Sequence, residues 1–401
     1  MQLKSLSDNI EESFEMVATT LFGLEELTAR ELTRLGAENV TIKNRAVSFT
    51  GNIGVLYKAN YLLRTTLRVL IPFATFEVSS EQDLYDKVKT IPWEDFIEPK
   101  DTMAIYSILN TELFSHTQFI SQKTKDAIVD RIRDLKGERP SVNLENPTLQ
   151  LIVHIYQNKC TISLDSSGES LHKRGYREKT NLAPINEVLA AGLIQLTDWD
   201  KRSTLIDPMC GSATILIEAA SYAANIPAGY HRETFAFFNW HKTLAYNDAL
   251  WEKITDSAIE KIETDERTLY GIELSPNVAR KAKENIKRSK TDDMIKIRIA
   301  DFLESPAPPR YGRGTLIVNP PYGERMVKDD INGLYKSMGD TFKKNYAGFD
   351  CWLITSNADA AKSIGLKPTR RIQVFNGQLD CRFLKFSIYE GSKKAKYQEG
   401  E

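Results

Sequence analysis

Short apolar runs alternate with helically spaced apolar positions along the first 165 residues. Phe14 to Thr19 reads as an extended segment, and Leu24, Leu27, Leu32 and Leu35 recur at helical spacing before Gly36. Val40 to Phe49 reads as a hairpin-like β stretch and Ile53 to Leu63 as a second helix. A second α+β pattern follows from about Leu67 to Leu164. It has strands at Val69 to Phe76, Met103 to Ile108 and Gln150 to Tyr156, and a helix at His116 to Leu135. Pro140, Asn146 and Pro147 mark the loop between that helix and the next strand. The pattern predicts two small α+β units, residues 1–66 and 67–165.

The segment Ser166 to Thr180 is rich in small and basic residues and is expected to be a linker. Beyond it the pattern changes to β-α alternation. Strands are expected at Ser203 to Asp207, Leu269 to Glu273, Ile295 to Ile299, Thr315 to Asn319 and Asp350 to Thr355, with helices at Thr214 to Ala224 and Asn277 to Arg288. Such alternation predicts an α/β, Rossmann-like, mostly parallel doubly wound sheet over residues 181–390. Arg371 to Phe375 and Cys381 to Tyr389 flank Asn376-Gly377, which predicts a closing antiparallel hairpin. Residues 391–401 are expected to be a disordered tail.

Composition narrows the class. Hydrophobic residues make up 41% and charged residues 27%, which is ordinary for a globular protein, and the net charge of -1 confines any nucleic-acid contact to local basic patches. Cys160, Cys210, Cys351 and Cys381 form no CxxC pair, so neither a disulfide framework nor a zinc site is indicated, and no metal is expected. The amino-terminal stretch lacks the apolar core of a signal peptide, and no apolar run nears membrane-spanning length, so a cytoplasmic protein is expected.

The sharpest chemical signal is Asn319-Pro320-Pro321-Tyr322, directly after the apolar run Thr315 to Val318. The Asn319 side-chain oxygen and the Pro320 carbonyl can both accept hydrogen bonds from an exocyclic NH2, while Tyr322 can stack on the ring that carries it. Prolines fix φ and remove competing donors. An amine conjugated to a heterocycle is a poor nucleophile; holding both its protons in hydrogen bonds localises its lone pair. Amine methylation is the chemistry this suggests, although a rigid turn closing a strand is the plainer reading of the tetrapeptide.

Upstream, Asp207-Pro208-Met209-Cys210-Gly211-Ser212 sits between the first strand of the sheet and its first helix. Ligands bind at the carboxyl ends of strands in open parallel sheets, and a small-residue turn at a helix amino terminus favours a carboxylate. The turn lacks GxGxxG and a P-loop Lys, which disfavours nicotinamide and ATP. Glu273, ending the second strand, fits a residue gripping a ribose diol, although the segment from Asn225 to Asp265 must then be an inserted excursion. Asp301 can accept from an adenine amine, with the Phe302 ring packed on its face. Each acid alone reads equally as a helix cap or solvated strand end; their order on successive strands is what points to a cofactor.

These residues carry a resemblance. LDSSGESLHKRGYR at 164–177, APINE at 183–187, DPMCGS at 207–212, IEAA at 217–220 and NPPYGER at 319–325 resemble the class I S-adenosylmethionine-dependent methyltransferases, in particular the THUMP-containing ribosomal RNA guanine-N2 methyltransferases of the RlmL and YpsC type. Residues 1–66 resemble that family's ferredoxin-like unit and 67–165 its THUMP RNA-binding domain. The resemblance implies S-adenosylmethionine as cofactor. It places Asp207, Met209 and Gly211, with Thr180, Asn181 and Pro184, around the methionine part, Glu273 on the ribose and Asp301 with Phe302 on adenine. It implies a guanine of 23S rRNA, free or in a precursor large subunit, as the target: flipped from its stack against Tyr322, with its N2 held by Asn319 and Pro320. One departure is Ala213, where the family usually has a second glycine; a negative φ is expected to accommodate it.

Around this site, Arg325 is a candidate contact to phosphate or guanine O6. His172, Lys173, Arg174, Tyr176 and Arg177 are candidates for tracking RNA phosphates, equally readable as a solvated linker face. Arg280 to Arg288 reads as well as a polar helix face. The competing readings are tRNA guanine-N2 or DNA adenine-N6 methylation, protein-glutamine methylation, and a catalytically silent RNA-binding ribosome-assembly factor. Oligomeric state is not readable from the chain.

Overall fold

The computed structural model describes residues 12–177, 185–241, 245–263, 267–321 and 328–390. The chain divides into two compact units. One takes the described residues up to Thr20, Thr28–Leu171 and Arg232–Ser257; the other takes Leu21–Leu27, His172–His231 and the described residues from Ala258 onward.

In the first unit the elements run β1 (Phe14–Thr20), α1 (Glu25–Arg34, from Thr28 on), β2 (Glu38–Lys43), β3 (Ala46–Gly51), α2 (Ile53–Leu62), β4 (Thr66–Glu77), α3 (Glu81–Thr90), β5 (Thr102–Asn110), α4 (Thr117–Lys136), β6 (Ser141–Val142), β7 (Leu149–Tyr156) and β8 (Lys159–Asp165). The two α+β patterns read from the sequence share one eight-stranded sheet, order β2-β3-β1-β4-β8-β7-β5-β6. The join is β4, long enough at 12 residues to pair with β1 on one side and β8 on the other. Helix starts follow local chemistry: Asn52 caps α2 by accepting from the Val55 N–H at 3.1 Å, and Ser80 caps α3 by accepting from the Asp83 N–H at 3.1 Å.

One expectation is corrected in this unit. The start of the supposed linker is core. Ser166 and Ser167 are fully buried; the Asn60 amide donates to Ser166 Oγ at 2.8 Å and the Ser167 hydroxyl donates to Asn60 Oδ1 at 2.6 Å. The excursion expected after Asn225 also packs into this unit, where residues 232–257 bring an aromatic cluster to α2. The Phe237 ring stacks on Tyr57 at 4.6 Å, Trp251 meets Tyr57 and Tyr61 edge-on at 5.9 and 5.3 Å, and the Asn247 N–H donates to the Tyr57 hydroxyl at 3.0 Å.

The second unit holds α5 (Glu187–Leu196), β9 (Leu205–Asp207), α6 (Thr214–Ala223), the end of α7 (Asp248–Ile259), β10 (Leu269–Glu273), α8 (Pro276–Arg288), β11 (Ile295–Ile299), β12 (Gly314–Val318), α9 (Lys328–Asn345), β13 (Phe349–Thr355), α10 (Ala358–Lys362), β14 (Arg370–Asn376) and β15 (Leu379–Ser387). Its sheet has the order β11-β10-β9-β12-β13-β15-β14, with the first five strands parallel and β15 antiparallel to β13. Both faces are covered. On β12, Ile317 joins a core with Leu189 of α5, Leu216 of α6 and Ile286 of α8, while Leu316 and Val318 join the opposite core with Tyr335, Met338 and Phe342 of α9. Burial on both sides is why β12 reads as an unbroken apolar run.

Candidate active site

The order of the parallel strands brings the chemistry together. β9 lies between β10 and β12, and Gly271 of β10 pairs with Asp207 while Leu316 of β12 pairs with Ile206. The carboxyl ends of β11, β10, β9 and β12 therefore line up Asp301, Glu273, Asp207 and Asn319 along one rim. The sheet reverses direction of growth between β9 and β12, the switch point at which such folds bind ligands.

The turn after β9 is built around two carboxylates. Asp207 Oδ1 accepts from the Met209 N–H at 3.2 Å, and Glu273 reaches across with Oε2 accepting from the Gly211 N–H at 3.1 Å and Oε1 from the Ser275 N–H at 2.8 Å. Asp207 is buried, and burial, with the neighbouring Glu273 charge adding to it, pushes its pKa up to about 8. A carboxyl displaced this far at a switch point makes Asp207 a candidate functional group. Gly211 has φ +53 with open space where a Cβ would stand. Ala213 overturns the expected negative φ: it sits at φ +66, ψ 22, a left-handed residue at the start of α6.

Asn319 is half-buried, and its Oδ1 is buried without a hydrogen-bond partner among the described residues. A buried acceptor left unpaired costs about 1–3 kcal/mol, so this oxygen is poised for a donor brought by a ligand. Pro320 follows it, buried. Thr180, Asn181, Pro184, Tyr322 and Arg325 lie outside the described residues.

The adenine side differs from expectation in one residue. Asp301 is half-buried and its Oδ1 accepts from the Leu303 N–H at 2.8 Å. Phe302, however, is 2% exposed and its ring lies against Phe342 and Tyr346 at 6.1 and 5.8 Å, committed to the core rather than offered to a ligand. The exposed apolar group on this rim is Leu274, 68% exposed immediately after Glu273. The sequence carries a signal for it, an apolar residue directly after the acid that ends a strand.

The basic segment also needs correction. Arg174 and Tyr176 are buried, with Arg174 Nε 3.5 Å from Glu218 Oε1 and the Tyr176 hydroxyl donating to the same oxygen at 3.1 Å. Arg177 pairs with Glu187 at 3.1 Å. These three side chains face the interior of the second unit, where Tyr176 sits in its core, and are not presented to RNA phosphates. His172 is half-buried and Lys173 exposed. All four cysteines are buried and unbridged. In the first unit, Glu98, Asp101 and His241 bring their ligating atoms within 4.8 Å of one another, with His241 Nε2 3.3 Å from Asp101, which holds His241 in an acid contact. No helix among the described residues is long and apolar enough to cross a membrane.

Comparison with known proteins agrees with this geometry. Residues 174–385 match the family model described as UPF0020, RMKL-like methyltransferase domain; residues 78–165 match the THUMP domain and 15–70 the RlmL ferredoxin-like domain. The chain is 37% identical over 377 residues to a putative RNA methyltransferase, slr0064, of Synechocystis, covering 93% of this chain and 96% of that protein. It is 34% identical over 383 residues to the ribosomal RNA large subunit methyltransferase K/L of Syntrophotalea carbinolica, covering 93% of this chain and 53% of that one. The chain thus spans about half the length of the K/L relatives. The crystal structure of SMU.472, a putative methyltransferase complexed with SAH, superposes with a TM-score of 0.84 at 27% identity, covering 95% of this chain and 100% of that one.

Proposed function

The chain belongs to the RMKL-like methyltransferase family and is an S-adenosylmethionine-dependent methyltransferase of class I fold, and from this membership we propose that it methylates the exocyclic N2 of a guanine in 23S rRNA. The single observation that carries the amine chemistry is the buried, unpartnered Asn319 Oδ1 at the switch point, followed by Pro320.

S-adenosylmethionine, when bound, supplies a methyl group on a sulfonium. The Asp207 carboxyl and the turn at Met209 and Gly211 would hold its charged methionine end, a role the resemblance also gives to Thr180, Asn181 and Pro184. Glu273 keeps lone pairs for ribose hydroxyls beyond the two N–H groups it already accepts. Asp301 takes the adenine amine, and Leu274 replaces Phe302 as the apolar cover.

Asn319 Oδ1 and the Pro320 carbonyl accept the two protons of the target amine, and Tyr322 stacks on its ring. Extrusion of the base costs a few kcal/mol, and stacking on one aromatic returns about 1–3 kcal/mol. As the nitrogen gains positive charge in the transition state, both acceptors stabilise it, and the proton leaves afterwards; no strong base is needed. In this reading the THUMP domain binds the RNA, and Arg325, Lys173 and His172 are candidate contacts to it, in the cytoplasm.

The test is transfer of label from S-adenosylmethionine to unmethylated 23S rRNA, large-subunit precursor, tRNA and DNA, followed by nucleoside analysis. N2-methylguanosine in rRNA is the expected product. N6-methyladenine in DNA, or N2-methylguanosine confined to tRNA, would overturn the assignment.

A further inference from the structure

We propose that Arg177 is a positioning residue for cofactor binding, locking the 207–214 turn to the amino terminus of α5; the proposal rests on the S-adenosylmethionine reading of that turn. The guanidinium bridges two helices. Nη1 lies 3.1 Å from Glu187 Oε1 in the first turn of α5, and Nη2 donates to Thr214 Oγ1, the first residue of α6. The Arg177 and Glu187 side chains are 15% and 5% exposed. Burial raises the Glu187 pKa, and the Arg177 charge opposes that rise.

Thr214 passes the constraint on. Its hydroxyl is 3.2 Å from Ser212 Oγ, and the Ser212 carbonyl accepts from the Asn285 amide of α8 at 3.1 Å. The turn is thereby held from two sides, by Asn285 at residue 212 and by Arg177 at residue 214.

Arg177 has little freedom to move because the residues before it are anchored. Tyr176 and Arg174 converge on Glu218, and Gly175 sits at φ +101 where a Cβ would stand 2.0 Å from the His231 carbonyl oxygen. Only glycine permits that approach. A planar fork serves two partners on two helices at once; a lysine ammonium holds the same charge without that geometry.

The experiment titrates S-adenosylmethionine calorimetrically into the full chain as wild type, Arg177→Lys, Arg177→Met, Thr214→Val and the Arg177→Met/Thr214→Val double variant, with kcat at saturating cofactor and thermal midpoint measured in parallel. Arg177→Met is expected to raise Kd at least about tenfold while leaving saturated kcat within about threefold, the signature of lost binding rather than lost chemistry. Arg177→Lys should recover part of the affinity, and the double variant should bind no worse than Arg177→Met alone. Unchanged Kd in folded Arg177→Met, additive losses, or a kcat loss without a Kd change would overturn the proposal. Should Arg177→Met fail to fold, Thr214→Val decides: weakened binding at an unchanged midpoint supports the coupling, and unchanged binding ends it. A wild-type chain that does not bind S-adenosylmethionine removes the cofactor reading itself, whereas wild-type binding with an indifferent Arg177→Met removes the role of Arg177 alone.

Discussion

The Gly211 N–H donates to Glu273 Oε2 at 3.1 Å across 62 residues of sequence. The bond joins the turn after β9 to the end of β10, so one carboxylate shapes the turn that the proposed function gives to the methionine end and is itself the group it gives to the ribose. Its other oxygen takes the Ser275 N–H at the start of α8. Glu273 is thus a structural brace of the rim.

Glu273→Gln is expected to weaken cofactor binding by about tenfold or more. A neutral amide can accept from one N–H only by turning its NH2 toward the other, and a hydrogen bond to a charged group is worth about 1.5–3 kcal/mol. Calorimetric titration with S-adenosylhomocysteine checks this; equal affinity would show that the carboxylate is only a cap for α8.

Asn319→Ala removes the unpartnered acceptor. If Oδ1 stabilises charge that develops only in the transition state, single-turnover methylation should fall about a hundredfold or more, with cofactor Kd almost unchanged. Lost cofactor binding with normal turnover at saturation would move Asn319 out of the catalytic role.

The Asp207 carboxyl predicts a pH dependence of known sign. Its folded pKa, pushed up to about 8, exceeds its unfolded value, so between about pH 4 and 8 the folded chain holds a proton that the unfolded chain has lost. This group's contribution to stability is therefore full below about pH 4 and declines as pH rises through 8, by up to about 6 kcal/mol, since each tenfold change in proton affinity is worth about 1.4 kcal/mol. Denaturant midpoints of wild type and Asp207→Asn across about pH 5–8 should converge toward acid and separate toward alkali, with the variant the flatter. Parallel curves would refute the buried-carboxyl account. A positively charged cofactor favours the ionised carboxylate, so affinity for S-adenosylmethionine should also rise with pH.

Ala213 at φ +66 sets opposing terms against each other. Gly at this position would relieve left-handed strain of about 1–2 kcal/mol, but would cost about 0.5–1 kcal/mol of backbone entropy and about 0.8 kcal/mol for a methyl buried in the core. Ala213→Gly should therefore leave stability within about 1 kcal/mol of wild type, as the denaturant midpoint would show. Ala213→Val has no such offset, because a β-branched side chain fits poorly at positive φ, and it should lower the urea midpoint sharply.

What was legible in the sequence followed local pattern. The run before Asn319 reads as a strand because both its faces are buried, and the acids at 207, 273 and 301 read as strand ends. Helix α5 did not read, since Glu187–Leu196 is apolar nearly all round and buried on every side, leaving no helical period to detect. Residues 166–177 read as a linker because Ser, Gly and Arg mark loops, while their burial comes from partners far away: Asn60 is 106 residues from Ser166, and Glu218 is 42 from Tyr176. Long-range pairing of that kind leaves no local trace, and the same holds for the core position of the Phe302 ring.

The aromatic cluster of residues 232–257 gives the last prediction. Phe237 is fully buried, stacks on Tyr57, and lies 5.3 Å from the rings of both Phe235 and Trp251. Truncating it opens a cavity that the surrounding rings cannot easily fill, at a cost of about 3–5 kcal/mol. The residues it steadies belong to α2 of the first unit, although the chain between β9 and β10 supplies the ring. Phe237→Ala should therefore destabilise the amino-terminal unit, and limited proteolysis should cut within residues 12–171 earlier than in wild type. A fragment ending at Leu171 should show the same weakness, since it lacks the whole cluster. Undiminished protection of residues 12–171 in both would mean that the sheet and its own helices suffice, and that the cluster adds nothing to that unit's stability.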